Sequence, residues 1–594
     1  MKKILQFIVN GLAVIGFVAV ALSATGWTML LLREKPKLPE SIILSLDLGH
    51  KVEEKSEENL LRSALSGEKS PLVLRDIIAA LDLASHDPRV KVLLGKFGSN
   101  NFSLAEAQEI RDAVQRLNAE GKPSIAFAPS FGEMAPADKA YYLASGFNEI
   151  WLQPAGLLGI TGFAAEAPFA KKAMEKIGVG ADFARRSEYK SLMESVTEDD
   201  LSPANAEQLG ELLDDLSMQF DDDVAAARRM SPEVISWLID AAPLSAPMAQ
   251  QSGFVDQIGY EDEIEDKLYD QLGAGTKELD AAEYLAKRRD ELRHAAPKNE
   301  KLPVVALIHA AGNIVQQGGD MGPVGNAIAA DEIVDAFAAA VADDEVEAVL
   351  LRIDSPGGSA VASESIRRAL VRAELSGLPV IVSMGSVAGS GAYWVASAAD
   401  MILADPATLT GSIGVIAGKF YGKEIWDKLG IAWSQMSRGD NADLWSMAVP
   451  FTQWQHNKVD ALVGDAYNQF KQHVAEGRDL SDAAVEAVAR GRVWTGNQAL
   501  NLGLVDELGG FYDAVEVSKN LIGLTADDPV LLKIYPAPKS LAERLQHLFG
   551  HFGRLGAQMA EFGNVLEQFM PALHKIFGAT QVKGRELTMP DLQI

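Results

Sequence analysis

The longest apolar stretch of the chain comes first. Residues Ile4 to Leu32 carry no charged side chain, and Lys2, Lys3, Arg33, Glu34, Lys35 and Lys37 flank them. A helix needs about 20 apolar residues to cross a bilayer, whereas the apolar region of a cleaved signal peptide normally runs about 7–15 residues. Residues 1–37 therefore read as a retained membrane anchor, with a cleaved signal peptide as the alternative. Basic residues on both sides leave its orientation open. No second convincing span follows.

Beyond the anchor, short apolar runs alternate with longer stretches of helical spacing. VVALIHA at Val304 and PVIVSMG at Pro379 have the length and composition of buried strands. EIVDAFAAAVAD, around Glu332, has the spacing of an amphipathic helix. This alternation predicts βαβ units and an α/β fold with a parallel sheet covered by helices. After Pro536, Leu545, Leu548, Phe549, Phe552, Leu555, Met559, Phe562, Leu566 and Phe569 recur at helical spacing. They predict an amphipathic helical tail over 536–594, which packs on the core or a neighbouring subunit or lies on a membrane surface.

The pattern also repeats. AYYLASGFNEIWLQPAGLLGITG begins at Ala140, and AYWVASAADMILADPATLTGSIG begins at Ala392, 252 positions later. The same offset relates KKAMEKIGV, ending at Val179, to KEIWDKLGI, ending at Ile431. KVLLGKFGSNNFS (Lys91–Ser103) likewise echoes AVLLRIDSPGGSA (Ala348–Ala360). A match through several blocks indicates two homologous halves, 38–300 and 301–535. The charged stretch Ala286–Leu302, ending at Pro303, reads as the link between them.

Charge and composition narrow the function. The formal net charge of −28 over 594 residues argues against nucleic acid, whose phosphates need a concentrated basic surface. The absence of cysteine excludes disulfides, thiolate metal sites and a cysteine nucleophile. The nine histidines form neither an HExxH nor a tight HxH cluster, so no metal is expected; nor is a cofactor.

Three segments carry candidate chemistry. In SMGSVAGSGAYW, Ser390 lies between Gly389 and Gly391, just after a predicted strand and where a helix should begin. Small neighbours admit a substrate carbonyl, and a helix N-terminus offers free N–H groups to a forming oxyanion. An N-cap serine is the competing reading. In IDSPGGS, Gly357 and Gly358 follow a strand and can present N–H donors to an oxyanion, although the same residues suit a plain β-turn. In RRSEYKSLMESV, Lys190 stands in a polar stretch after a strand and is a candidate base, or else an ordinary exposed lysine.

The repeat discriminates between these readings. Ser390 corresponds to Asp138, Gly357 and Gly358 to Asn100 and Asn101, and Lys190 to Ala442. Each half holds one member of a serine–lysine pair and lacks the other. Such complementarity is the mark of one composite site built by two halves. A lysine base must be neutral, and burial between halves would lower its pKa from about 10.4.

The chain resembles the S49 serine peptidases of the long, duplicated, membrane-anchored signal peptide peptidase type. The resemblance rests on the anchor, EYKS around Lys190, IDSPGG, MGSVAGSGAYW, TLTGSIGV (Thr408–Val415) and GRVWTGNQALNLGLVDELGG (Gly491–Gly510). It implies two tandem crotonase- or Clp-protease-like α/β domains, Ser390 as nucleophile and Lys190 as base. It also implies that Ser412 hydrogen-bonds the lysine and that Gly358 or Gly357 serves the oxyanion, with Gly391 beside them. It further implies a homotetramer, anchored in the bilayer of the bacterial cytoplasmic membrane with its catalytic part on the periplasmic side, degrading signal peptides and other apolar peptides. The tail after Pro536 lies outside the match. A crotonase-fold acyl-CoA enzyme and a non-catalytic membrane scaffold are the competing functions.

Overall fold

The computed structural model describes residues 37–54, 72–98, 102–295, 301–317, 327–526 and 528–537. The expected anchor, the helical tail and the Asn100–Asn101 pair lie outside them. No helix among the described residues is long and apolar enough to cross a membrane.

The duplication is visible in the strand order. In the first half the order is Gln257–Ile258, Glu149–Leu152, Ser124–Ala128, Val90–Lys96, Ile42–Asp47, Lys277–Asp280. In the second it is Glu507–Leu508, Met401–Ala404, Val380–Gly389, Val346–Ser355, Val304–Ala311, Leu531–Tyr535. Every neighbouring pair in both series is parallel, as helical crossovers require. Equivalent tertiary bonds recur: Tyr141 Oη donates to Phe254 O and Tyr393 Oη to Leu504 O. Likewise Ile150 N donates to Asp256 and Ile402 N to Asp506. Each half also has one 26-residue helix, Pro203–Arg228 and Gln453–Arg478.

The two halves share a core. Strand residues alternate faces, and in the second sheet Val305, Leu307, Ala348, Leu350, Ile381 and Leu403 join the cluster that contains Leu104, Ala107 and Ile110 of the first half. Their neighbours Val304, Ala306, Ile308, Val349, Leu351 and Val382 point the other way, into the second half's own helices. Buried polar pairs cross the same junction. Arg352 Nη2 donates to Glu109 and to Glu54, and Ala407 N donates to Gln108.

One expectation needs correction. The stretch from Ala286 does not begin a linker, because the helix Ala281–Ala295 occupies most of it. Several of its charges are paired across the fold: Arg289 with Asp76, and Glu291 with Arg89. Leu285 and Tyr284 on the same helix are buried.

A two-stranded ribbon joins the halves most directly. Gly180–Arg186 of the first half runs antiparallel to Val415–Tyr421 of the second, with Arg186 opposite Val415. The bidentate pair of Arg186 with Asp460, at 2.6 Å, fastens its end to the helix Gln453–Arg478.

Candidate active site at the junction of the halves

The ribbon places both candidate side chains. The first-half strand ends at Arg186, and the turns after it carry Lys190. The second-half strand begins at Val415, just beyond Ser412. Lys190 is therefore delivered into the second half beside Ser390, 200 positions away in sequence.

Ser390 follows the strand Val380–Gly389 and stands at the N-cap of the helix Gly391–Ala396. Its φ of +55° and ψ of −118° are sparsely populated for a residue with a side chain, and its side chain makes no cap bond. Two main-chain bonds hold it there: Ser390 N donates to Gly411 O, and Trp394 N to Ser390 O, each at 2.9 Å. The strained backbone directs the hydroxyl toward the lysine instead of the helix.

Lys190 is 5% exposed. Its Nζ lies 2.9 Å from Ser390 Oγ and donates at the same distance to Ser412 O and Ser412 Oγ. Burial pushes its pKa down to about 7. The acids nearest to it in sequence are taken up by other cations, Glu188 by Arg490 and Glu194 by Arg185. A neutral amine in this setting gives its two N–H groups to Ser412 and turns its lone pair to the Ser390 hydroxyl.

The IDSPGGS loop completes the floor. Gly357 N donates to Ser355 Oγ at 3.1 Å, so this amide is spent within the loop. Among the described residues the Gly358 and Gly391 amides have no such acceptor. They are neighbours: a Cβ on Gly391 would lie 3.2 Å from Gly358 N and 2.4 Å from Ser363 Oγ. Gly357 contributes space, since a Cβ there would lie 2.8 Å from that of Ser390. The loop is pinned by Ile314, whose N donates to Gly357 O and whose O accepts from Ser359 N.

These groups open into a cavity of about 500 Å³, whose apolar wall includes Leu192, Val387, Trp394, Ile416 and Phe470. Among the described residues no histidine lines it. No group of three or more His, Asp or Glu among the described residues is arranged to hold a metal ion. In the first half, Asp138 at the position equivalent to Ser390 is buried and accepts from Gly162 N at 2.8 Å, while Ala442, equivalent to Lys190, is exposed.

Two residues at the site were not legible as functional. Gly491 has a φ of +85°, and a Cβ on it would lie 2.6 Å from Lys190 N. Arg492 O accepts from Ser412 N at 2.7 Å. A signal was present: at the 250-residue offset set by Gly253 and Gly503, the first half has Ala241 and Ala242 at these places.

A buried lysine on a strained serine, beside paired amides in an apolar cavity, is the arrangement that a serine hydrolase with a lysine base would need. A profile of peptidase family S49 matches residues 116–275 and 372–525, one block in each half. Protease 4 of Haemophilus influenzae is 31% identical over 510 residues, covering 82% of this chain and 80% of that protein. Protease 4 of Salmonella typhi is 31% identical, covering 76% and 72%. The chloroplastic serine protease SPPA of Arabidopsis thaliana is 29% identical, covering 76% and 66%. The chain belongs to peptidase family S49 and is a serine peptidase.

Proposed function

We propose that this peptidase degrades signal peptides and other apolar peptides through a Ser390–Lys190 dyad. Neutral Lys190 takes the Oγ proton as Ser390 attacks the scissile carbonyl. The Gly358 and Gly391 N–H groups donate to the oxyanion, and Ser412 holds the amine. The lysine then gives its proton to the leaving amine, and water repeats the cycle to release the acyl group. The observation that carries this reading is the 2.9 Å approach of Lys190 Nζ to Ser390 Oγ. The apolar cavity wall favours apolar side chains over charged ones.

The same reading extends to the setting. The chain is anchored through residues 1–37 in the bacterial cytoplasmic membrane, with its crotonase- or Clp-like halves on the periplasmic side, and it assembles as a homotetramer. The ribbon supports closure with further copies. Residues 163–169 and 432–438 are the repeat counterparts of its two strands, yet neither forms a strand here. A second copy presenting its other half would give each a partner.

The test is hydrolysis of an apolar peptide amide and of an acyl-CoA thioester by the detergent-solubilised full chain. The wild type should cleave the peptide, and Ser390→Ala and Lys190→Ala should each lose about 10³-fold or more. Peptide cleavage unchanged in both variants contradicts the dyad. Turnover of the thioester alone would make it an acyl-CoA enzyme, and turnover of neither a scaffold.

A further inference from the structure

Lys190 sits in turns rather than in a strand or helix, so something outside its own loop must fix it to the serine half. We infer that Arg492 is a positioning residue that clasps the Lys190 loop to Ser412 and so holds the base in register with Ser390. This rests on the dyad reading above.

The clasp has a main-chain part and a side-chain part. The strip Arg490–Arg492 runs between the two arms of the site. Arg490 O accepts from Tyr189 N at 3.2 Å on the lysine side. Gly491 N donates to Ile413 O at 2.8 Å, and Arg492 O accepts from Ser412 N at 2.7 Å, on the other side. Ser412 is held in a left-handed conformation, φ +50°, which directs both its carbonyl and its hydroxyl to Lys190 Nζ.

The guanidinium then locks the strip to the residue adjoining the base. It lies between two rings, 4.7 Å from the centroid of Tyr189 and 4.6 Å from that of Trp494. Its N–H groups reach Glu207, at 3.2 Å, and Glu211 on the helix Pro203–Arg228. Glu207 also accepts from Tyr189 Oη at 3.0 Å, which closes a ring of contacts Tyr189–Arg492–Glu207. The remaining charges on the loop are already matched, Glu188 with Arg490 and Glu194 with Arg185. The half that lacks the serine has Ala242 at the Arg492 position.

The experiment is the pH dependence of kcat for peptide hydrolysis by the full chain and its Arg492→Ala, Arg492→Lys and Tyr189→Leu variants, with Ser390→Ala and Lys190→Ala as blanks. Arg492→Ala should lower kcat about tenfold or more with KM within about threefold, because a misplaced group costs chemistry rather than binding. Its rising limb should move up by about half a pH unit or more, as the loosened amine gains water and the freed Glu207 and Glu211 favour the ammonium. Arg492→Lys should restore the activity only in part, since an ammonium does not fill the slot between two rings. Tyr189→Leu should reproduce the kcat loss and the limb shift, and it decides the matter should Arg492→Ala fail to fold. A change in KM alone in Tyr189→Leu, which borders the cavity, contradicts the clasp. So does wild-type kcat and limb in the folded variants while both blanks are inactive. Activity in the blanks would instead overturn the dyad itself.

Discussion

Lys190 Nζ and Ser390 Oγ lie 2.9 Å apart across 200 positions of sequence. The two side chains come from different copies of one duplicated unit, and the antiparallel ribbon of Gly180–Arg186 with Val415–Tyr421 closes the gap. No carboxylate among the described residues lines the site, and burial lowers the lysine's pKa. That single physical cause has consequences that can be measured.

The first concerns rate. Only the neutral amine accepts the serine proton, so kcat/KM should rise with pH through about 7, the pKa to which burial brings Lys190. Replacing His473, which packs against Trp394, should leave the limb in place. A limb that moves with that histidine contradicts the assignment.

The second concerns stability. The folded pKa of about 7 lies below the ordinary 10.5, so between those values the unfolded chain holds more protons and stability climbs with pH. Below about 7 the buried lysine is charged, and the cost of burying that charge is felt in full, at most about 5 kcal/mol. Lys190→Met should therefore be more stable than the wild type at pH 7 and lose the slope between pH 7 and 10.5. Urea unfolding of the two proteins across that range measures both.

A third prediction follows from Gly491. A Cβ there would press on Lys190 N and Cβ, at 2.6 and 2.7 Å, and its φ of +85° disfavours any side chain. Gly491→Ala should lose about 10²-fold in kcat through displacement of the base. It should also cost about 1–3 kcal/mol of stability. Steady-state kinetics beside a denaturation curve separates the two effects.

Trp394 lies in the apolar wall of the cavity, so substrate preference should depend on it. Its ring lies against Phe470, with centroids 4.7 Å apart, and its Nε1 donates to Glu364, itself held by Arg367. Trp394→Ala should deepen the cavity and shift the ratio of kcat/KM toward larger apolar side chains at the scissile carbonyl, by about 10–100-fold. A matched series of peptides with alanine, leucine and phenylalanine at that position reports the ratio.

The sequence made the α/β alternation and the duplication legible because strand runs and turn motifs recur from one half to the other, at offsets of 252 and 257 positions. It made Ser390 and Lys190 legible through what each half lacks. The ribbon was not legible, since pairing between Gly180–Arg186 and Val415–Tyr421 depends on how the halves dock and leaves no local period. For the same reason the GRVW motif pointed to no role for Gly491 and Arg492, whose contacts with the lysine loop exist only once that loop lies on them. Polarity misled at Ala286–Leu302, where paired charges on a packed helix resemble those of a solvated linker. The glycine loop showed its turn in sequence, but only the backbone geometry separates Gly357, whose amide is spent on Ser355, from Gly358.

The most direct test of a composite Ser390–Lys190 site is labelling by a serine-reactive fluorophosphonate, with the modified residue mapped by mass spectrometry. The account predicts a single adduct on Ser390, a labelling rate that rises with pH through about 7, and loss of that reactivity in Lys190→Ala. An adduct on another serine, or wild-type labelling of Ser390 in Lys190→Ala, would contradict it.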